Sequence, residues 1–484
     1  MTKAIQSISN PKLSLQILTS DEVYQIHEAT LQVIENTGVR FPSDRAVKIW
    51  QEHGAEVDLD TQVVKAPRSL IESALKTCPP IYPLAARDPE QDLSLDGNHV
   101  YVGTDGCGVQ ILDLQKGELR RSELTDVADI ARIADATPEI AFHWVPVSAQ
   151  DKPPETRGLH ELLAIWENST KHVQTESIYN EAEARAAVEM ATILAGDRES
   201  LRKRPLLSIM QCTAPPLGQD GGSLDAALIA AEAGIPVGFM TMTACLTTAP
   251  ATLAGNLVVG NAEVISAAAL IQLAYPGAPF FYAAAQTASD LRTGAYTGGG
   301  PEDFLFGAAT NILSDFYDIP LSMGSFASGA KEPNWQAGVD NSLSTFMASV
   351  VMSDMLLGVG LLHGSRIWSY EQMMMDCEIF DLIHHMMAGI EVNQETLALD
   401  AIHNVGSQGN YLTQRHTRDH MREIWMPKYM DRRAYEVWQQ KGDGPRDWAR
   451  AEALKRYESH QPEPLESRLS QELQRIITSL ETEE

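Results

Sequence analysis

The stretch LSMGSFASGAKEPNWQAGVD, Leu321 to Asp340, begins like a buried strand and opens into small residues with Phe326 and Trp335 close by. It carries one lysine, Lys331, and neither cysteine nor histidine, so it offers no nucleophile. It suits retention of something apolar or cationic. Other chemistry-bearing residues stand near the ends of apolar runs: Tyr101, Asp105 and Cys107, then His143 and Trp144, Glu176, Gln211 and Cys212, Thr241 and Thr243, Tyr282 and Gln286, and finally His363 and Arg366. The set is rich in aromatics and amides and poor in paired acids. Such a set fits a ligand with an alkylated ammonium, because each aromatic face attracts a cation by roughly 0.5–2 kcal/mol. His363, in LLHGSRIW, either orients a ligand or is a core histidine bonded to backbone.

Several reaction classes lack their residues. No H-E-x-x-H occurs, and His384 and His385 are adjacent, so a helix points them in different directions. Cys212 and Cys245 follow different strand-like runs, and the spacing gives no support for a two-thiolate metal site. There is no G-x-S-x-G elbow and no P-loop. Gly298 to Gly300, followed by Pro301 and Glu302, reads either as an anion-binding helix start or as a tight turn. Asp376 and Glu378 do not share a helix face, and Asp354 reads as a structural hydrogen-bond partner.

These residues need a frame. Strand-like runs fall at 100–103, 141–147, 172–176, 206–211, 236–242, 279–285, 319–325 and 358–364. Helix-like runs follow at 123–136, 157–168, 181–195, 223–233, 250–274, 302–317, 336–356 and 372–389. Alternating strands and helices imply a parallel sheet, and eight such units imply closure into an α/β (β/α)8 TIM barrel. An open doubly wound sheet is the alternative, but no strand is followed by G-x-G-x-x-G. Catalytic groups of a barrel lie at the C-terminal strand ends. The expected division is an N-terminal helical segment at 1–99, the barrel at 100–390 and a C-terminal helical extension at 391–484. The first segment holds helices at 20–37, with Ser20 as N-cap, at 44–53 and at 67–76. Residues 98–120 read as a hairpin region. In the extension, Trp425, Tyr429, Tyr435, Trp438 and Trp448 read as packing anchors, and the last twenty residues as a solvated helix.

The chain has 484 residues, 44% hydrophobic, with a net charge of −28. That is enough apolar content for a large core. The charge argues against nucleic acid and against an anionic membrane as partners. Five dispersed cysteines without C-x-x-C fit a reducing cytoplasm. The first residues lack an apolar h-region, so no signal peptide is expected. No apolar run is long and uninterrupted enough to span a bilayer.

Five segments together resemble the trimethylamine methyltransferase (MttB) family: YVGTDGCGVQILD (101–113), APATLAGNLVVGNAEV (249–264), SDLRTGAYTGGGPED (289–303), SFASGAKEPNWQAG (325–338) and SYEQMMMDCEIFD (369–381). The resemblance runs from about residue 20 to beyond 385. It implies a (β/α)8 barrel that transfers a methyl group from a methylated amine to the Co(I) corrinoid (cobalamin) of a separate carrier protein. The founding members hold a pyrrolysine in the region matching Phe326 and Ala327. This chain has ordinary residues there, and so resembles the non-pyrrolysine branch, which acts on quaternary amines such as glycine betaine.

On that reading, Tyr101, Trp144, Phe326 and Trp335 form the cation-binding wall, with Tyr282 added. His363 and Arg366 meet a substrate carboxylate, Arg366 by a bidentate contact, and Gln286 orients the same group. No catalytic residue and no metal ligand is assigned. The partner is a small corrinoid protein docking over the barrel mouth, and the apolar helices and C-terminal extension suggest a homo-oligomer. The alternatives are a barrel that holds a betaine without turnover, or a methyltransferase for another methylated amine such as trimethylamine. Phe326→Ala is expected to weaken betaine use and leave the fold intact.

Overall fold

The computed structural model describes residues 5–106, 108–295 and 298–483; Cys107, Tyr296 and Thr297 lie outside the described residues. Eight parallel strands form a closed ring: β1 (His99–Thr104), β2 (Phe142–Trp144), β3 (His172–Thr175), β4 (Leu207–Cys212), β5 (Val237–Thr241), β6 (Phe280–Ala284), β7 (Leu321–Gly324) and β8 (Met355–Val359). Each pairs with the next, and β8 closes on β1 through Met355 opposite Tyr101 and Leu356 opposite Val102. The barrel reading of the sequence holds, and the open sheet does not.

Side chains alternate inward and outward along each strand. On β6, Phe281 and Ala283 point into the barrel, where they join Phe142, Trp144, Met210, Met240, Met355 and Leu357. Phe280, Tyr282 and Ala284 point out to the helices. A short hairpin, Tyr82–Leu84 with Leu93–Leu95, plugs the N-terminal end of the barrel with Tyr82, Leu84, Leu93 and Leu95. The Tyr82 hydroxyl donates to the Phe280 carbonyl at 2.9 Å. The interior is therefore filled from below, and open space remains only toward the C-terminal strand ends.

Three helices precede the barrel: α1 (Ser20–Asn36), α2 (Asp44–Glu52) and α3 (Arg68–Leu75). The N-cap of α1 is Thr19 rather than Ser20, because Thr19 and Glu22 close a reciprocal capping box. The barrel helices are α4 (Leu124–Asp135), α5 (Arg157–Asn168), α6 (Glu181–Ala195), α7 (Arg198–Lys203), α8 (Gly221–Ala233), α9 (Leu253–Ala274), α10 (Pro301–Phe316), α11 (Trp335–Val350) and α12 (Tyr370–Met387). Helix α9 is long and apolar enough to cross a membrane by length and composition, but it is mostly buried. It lies between β5 and β6 on one side and α1, α2 and α3 on the other, which is why it is apolar on every face.

Two expectations at the end of the barrel need correction. Helix α11 stops at Val350, not 356, because Met352 turns left-handed (φ 61°) and Asp354 accepts the Leu321 and Gly97 amides. The eighth strand is Met355–Val359, not 358–364. Gly358 and Gly360 adopt φ of 123° and 92°, and a Cβ at Gly358 would lie 2.0 Å from the Ser325 carbonyl oxygen. The chain therefore breaks there, and Leu361–Leu362 folds back against Ile367–Ser369. In the hairpin region, β1 belongs to the barrel, and Gln110–Leu112 pairs with Leu119–Arg121.

After the barrel come α13 (Leu399–Val405), α14 (Arg415–His420), α15 (Tyr435–Lys441), α16 (Pro445–Ser459) and α17 (Ser467–Glu483). Helix α16 packs on α12 and α4, with Ala449 and Ala453 fully buried at the contact. Helix α17 is not a free solvated helix. Leu473 and Ile477 are buried against the barrel, where the helix contacts α5 and α6.

Several interior carboxyls are held protonated to near neutrality. Burial pushes Asp105, Glu161, Glu183, Glu263 and Asp376 up to about 7. The native state therefore binds more protons than the unfolded chain between about pH 4 and pH 7. His143 and His172, pushed down by burial to about 3 and about 4, work the other way, but only up to the ordinary histidine range near 6.5. Lys171, lowered to about 8 by burial, opposes the carboxyls only above that pH. From pH 6.5 to 8 the carboxyls dominate, so stability falls as pH rises. Differential scanning fluorimetry at constant ionic strength should show Tm dropping by several degrees across that window; a flat or rising Tm would contradict it.

Candidate active site

A cavity of 510 Å³ opens at the C-terminal strand ends. Its walls come from most of the barrel: Asp105 after β1, Trp144 on β2, Glu176 after β3, Cys212 on β4, Met240 and Met242 at β5 and Ala285 after β6. Ser325, Ala327, Gly329 and Lys331 follow β7, and His363 to Arg366 follow β8. In a ring of eight, β3 and β4 stand opposite β7 and β8. One side of the cavity thus carries the Glu176 carboxylate, sulfur atoms and the nearby Trp144 ring. The facing side carries Lys331, His363 and Arg366.

Trp144 is fixed by its surroundings. It shares the inward face with Phe142. The Thr104 hydroxyl donates to its carbonyl at 2.6 Å, and its amide donates back to the same oxygen at 3.0 Å. The indole lies flush against Gly106, where a Cβ would come within 2.5 Å of the ring. Burial, and then the neighbouring Glu176 carboxylate, push the Cys212 thiol up to about 12. It is a neutral lining group and not a nucleophile.

The cationic side rests on a strained turn. His363, Gly364 and Ser365 have φ of 57°, 57° and 63° in succession, a left-handed run that two of the three residue types disfavour. Neighbouring groups hold it. The His363 amide donates to Ala330 O at 2.7 Å and the Gly364 amide to Ser328 O at 3.0 Å. Ser328 in turn donates to Asp340 at 3.0 Å. From the other side, buried Asp105 accepts the Ser365 hydroxyl at 3.0 Å and the Gly106 amide at 2.8 Å. The loops after β7 and β8 are thereby laced together. His363 is held below its ordinary range, first by burial and then by the charges of Lys331 and Arg366. The imidazole is neutral at pH 7, and the local field is positive.

Of the residues named in the sequence as the substrate wall and its loop, Trp144, His363, Arg366 and Ala327 line this cavity, and so do Asp105, Glu176 and Cys212 from the wider set near the strand ends. The others are committed elsewhere. Tyr101 sits at the plugged end, where its hydroxyl accepts the Ser94 amide and His99 stacks on its ring. Tyr282 faces outward by strand alternation, its hydroxyl 3.4 Å from Asn261 Oδ1. Gln286 donates to Asn256 Oδ1 at 2.8 Å and accepts from Thr310 at 2.9 Å, behind the cavity wall. Phe326, with φ 49°, is fully buried in the core between barrel and helices and does not reach the cavity. Trp335 opens α11 and is 82% exposed, outside the lining. His143 has the opposite parity to Trp144 and lies 2.6 Å from Ser169 Oγ.

The sequence reading passed over Met240, Met242 and Ser365, and gave Lys331, Asp105 and Glu176 no role. Strand parity would have found Met240. The interlocked loops left no local signal. Among the described residues, no group of three or more His, Cys, Asp or Glu side chains is placed to hold a metal. An open groove of 780 Å³ between α6, α7 and α8 lies on the outer helical layer, far from the strand ends.

Comparison with known proteins agrees with this architecture. The family model for trimethylamine methyltransferase (MTTB) matches residues 1–483. A trimethylamine methyltransferase of Desulfitobacterium hafniense is 34% identical over 96% of this chain and 94% of its own. That of Methanosarcina barkeri is 31% identical over 96% and 95%. A glycine betaine methyltransferase of Desulfitobacterium hafniense strain Y51 is 31% identical over 95% and 96%. The solved monomethylamine methyltransferase of Methanosarcina barkeri shares the fold, with a TM-score of 0.51 at 12% identity over 90% of this chain and 92% of that one. A closed parallel barrel with its cavity at the strand ends, matched along almost its whole length by these relatives, belongs to the trimethylamine methyltransferase family.

Proposed function

We propose that the protein transfers a methyl group from a carboxylate-bearing quaternary amine, of the glycine betaine type, to the Co(I) corrinoid of a separate carrier protein. The observation that carries this reading is the opposed charge of the cavity walls. Glu176 after β3 and the Cys212 thiol on β4 stand across the ring from Lys331 after β7 and from His363 and Arg366 after β8, with Trp144, Met240 and Met242 in the wall between. A betaine is itself a dipole of that kind, with a trimethylammonium at one end and a carboxylate at the other.

The chemistry asks little acid–base work of the protein. The corrinoid supplies a strong nucleophile. When the C–N bond breaks, its electron pair returns to nitrogen, and the amine leaves neutral without a proton. The chain's task is to strip water from the cation, hold it against Trp144 and aim one methyl group outward through the mouth. The neutral Cys212 thiol and the absence of pyrrolysine fit a substrate that brings its own positive charge. On this reading residues 100–390 carry the reaction, 1–99 close the base and 391–484 brace the flank. A cytoplasmic location accords with the free thiols of the four described cysteines and with the reducing conditions that Co(I) requires.

Product analysis of the purified protein with glycine betaine and a Co(I) corrinoid tests the reading: dimethylglycine should form. Betaine binding without demethylation of any betaine would reject it. Arg366→Ala should raise KM for glycine betaine roughly tenfold, the scale of one charged hydrogen bond, and leave demethylation of choline, which lacks a carboxylate, nearly unchanged. Equal losses on both would remove the carboxylate contact. Trp144→Ala should reduce kcat/KM for both amines about 2- to 30-fold, as a lost cation–π contact implies. Phe326→Ala now has a different expected outcome. The ring is fully buried, so its removal should destabilise the protein by about 3 kcal/mol, read as a lower midpoint in urea, before any effect on substrate.

A further inference from the structure

We infer that Asp105 and Ser365 form a proton-linked receptor for the substrate carboxylate: as the carboxylate binds, Asp105 takes a proton from solvent and the Ser365 hydroxyl turns from Asp105 to the ligand. This receptor presupposes the betaine substrate proposed above, and adds to its site two residues and one proton. Both residues line the cavity. Ser365 precedes Arg366 in the turn after β8, and its hydroxyl lies 3.0 Å from Asp105 Oδ2. Asp105 Oδ1 accepts the Gly106 amide at 2.8 Å. The loop after β1 also holds the turn through its backbone, because the Arg366 carbonyl accepts the Val109 and Gln110 amides, both at 3.1 Å. At φ 63° a glycine would be the relaxed choice for position 365. Serine brings there the one group that glycine lacks, a hydroxyl.

The direction of one hydrogen bond decides what this pair offers a ligand. An ionised carboxylate can only accept, so while Asp105 is charged the Ser365 proton points at it and away from the cavity. A protonated Asp105 reverses the bond. Oδ1 stays with the Gly106 amide, so the proton belongs on Oδ2, and that O–H donates to Ser365 Oγ. The serine's own proton is then free to turn into the cavity, and no heavy atom has to move. The turn now presents the Ser365 hydroxyl beside the Arg366 guanidinium and the His363 imidazole.

The surroundings poise Asp105 for this exchange. Burial raises it to about 7, against the pull of its two hydrogen bonds. Lys331 in the loop after β7, and His363 and Arg366 in the turn after β8, favour its charge. Glu176 across the cavity and the fully buried Asp376 on α12, which Asp105 repels, oppose it. Near neutral pH the two forms are therefore close in energy. A ligand carboxylate beside Arg366 and Ser365 adds a like charge at this end, and a like charge drives a carboxylate toward its protonated form. Proton uptake removes the repulsion and frees the hydroxyl in the same step. A quaternary ammonium without a carboxylate gives no such push.

Isothermal titration calorimetry of the full-length protein at pH 8, in two buffers of different ionisation heat and equal ionic strength, counts the proton. Wild type should take up roughly one proton per glycine betaine bound, and none with choline, which lacks the carboxylate. Asp105→Asn should abolish the uptake. Uptake that survives in this variant would assign the proton to His363 and overturn the proposal, as would betaine binding by wild type without uptake. Should Asp105→Asn misfold, Ser365→Gly decides instead, since its backbone suits the left-handed turn. Loss of the hydroxyl should raise the Kd for glycine betaine roughly tenfold, the scale of one charged hydrogen bond; an unchanged Kd overturns the proposal. A wild type that binds no betaine at all would reject the substrate itself, and the receptor with it.

Discussion

Everything at the mouth of this barrel depends on one constraint: along a strand of a closed parallel ring, each residue faces either the axis or the helices, and its neighbours face the other way. Trp144 reaches the cavity because Phe142 fills the interior below it, and His143 is turned by the same rule onto Ser169. Tyr282 is an aromatic residue near a strand end, yet its place in the alternation commits it to Asn261 in the helical layer. The plug under the barrel then takes the remaining interior volume, and only the upper ends of the inward rows are left to contact a ligand.

Much of the fold was legible because its signals are local and repeated. Apolar runs between helix-length amphipathic runs, eight times over, fix a closed ring, and α5 and α6 begin and end where the residue pattern places them. The eighth strand was read late because Gly358 and Leu361–Leu362 look like strand residues in isolation. Only the clash that a side chain at Gly358 would make with Ser325 explains why the strand ends at Val359. The docking of α17 was hidden for a similar reason: its two buried residues are few among charges, and the groove that receives them is assembled by α5 and α6.

The site was less legible than the fold. Composition gave its character, aromatic and without a nucleophile, but not its membership. Phe326 stands in the right loop and points the wrong way, because its left-handed backbone turns the ring into the core. Lys331 reads as a loop lysine in sequence, and it acquires meaning only when the β8 turn brings His363 and Arg366 beside it. Asp105 and Ser365 are 260 residues apart and meet through a hydrogen bond that no local pattern announces.

The hairpin under the barrel has a kinetic consequence. With Tyr82, Leu84, Leu93 and Leu95 sealing the base, the cavity, among the described residues, opens at the C-terminal strand ends. For the proposed reaction the amine and the methyl acceptor share that opening, and the acceptor, being a protein, blocks it while seated. Binding order is then compulsory. The amine enters an open barrel first, the carrier closes it, and the demethylated product waits inside until the carrier departs.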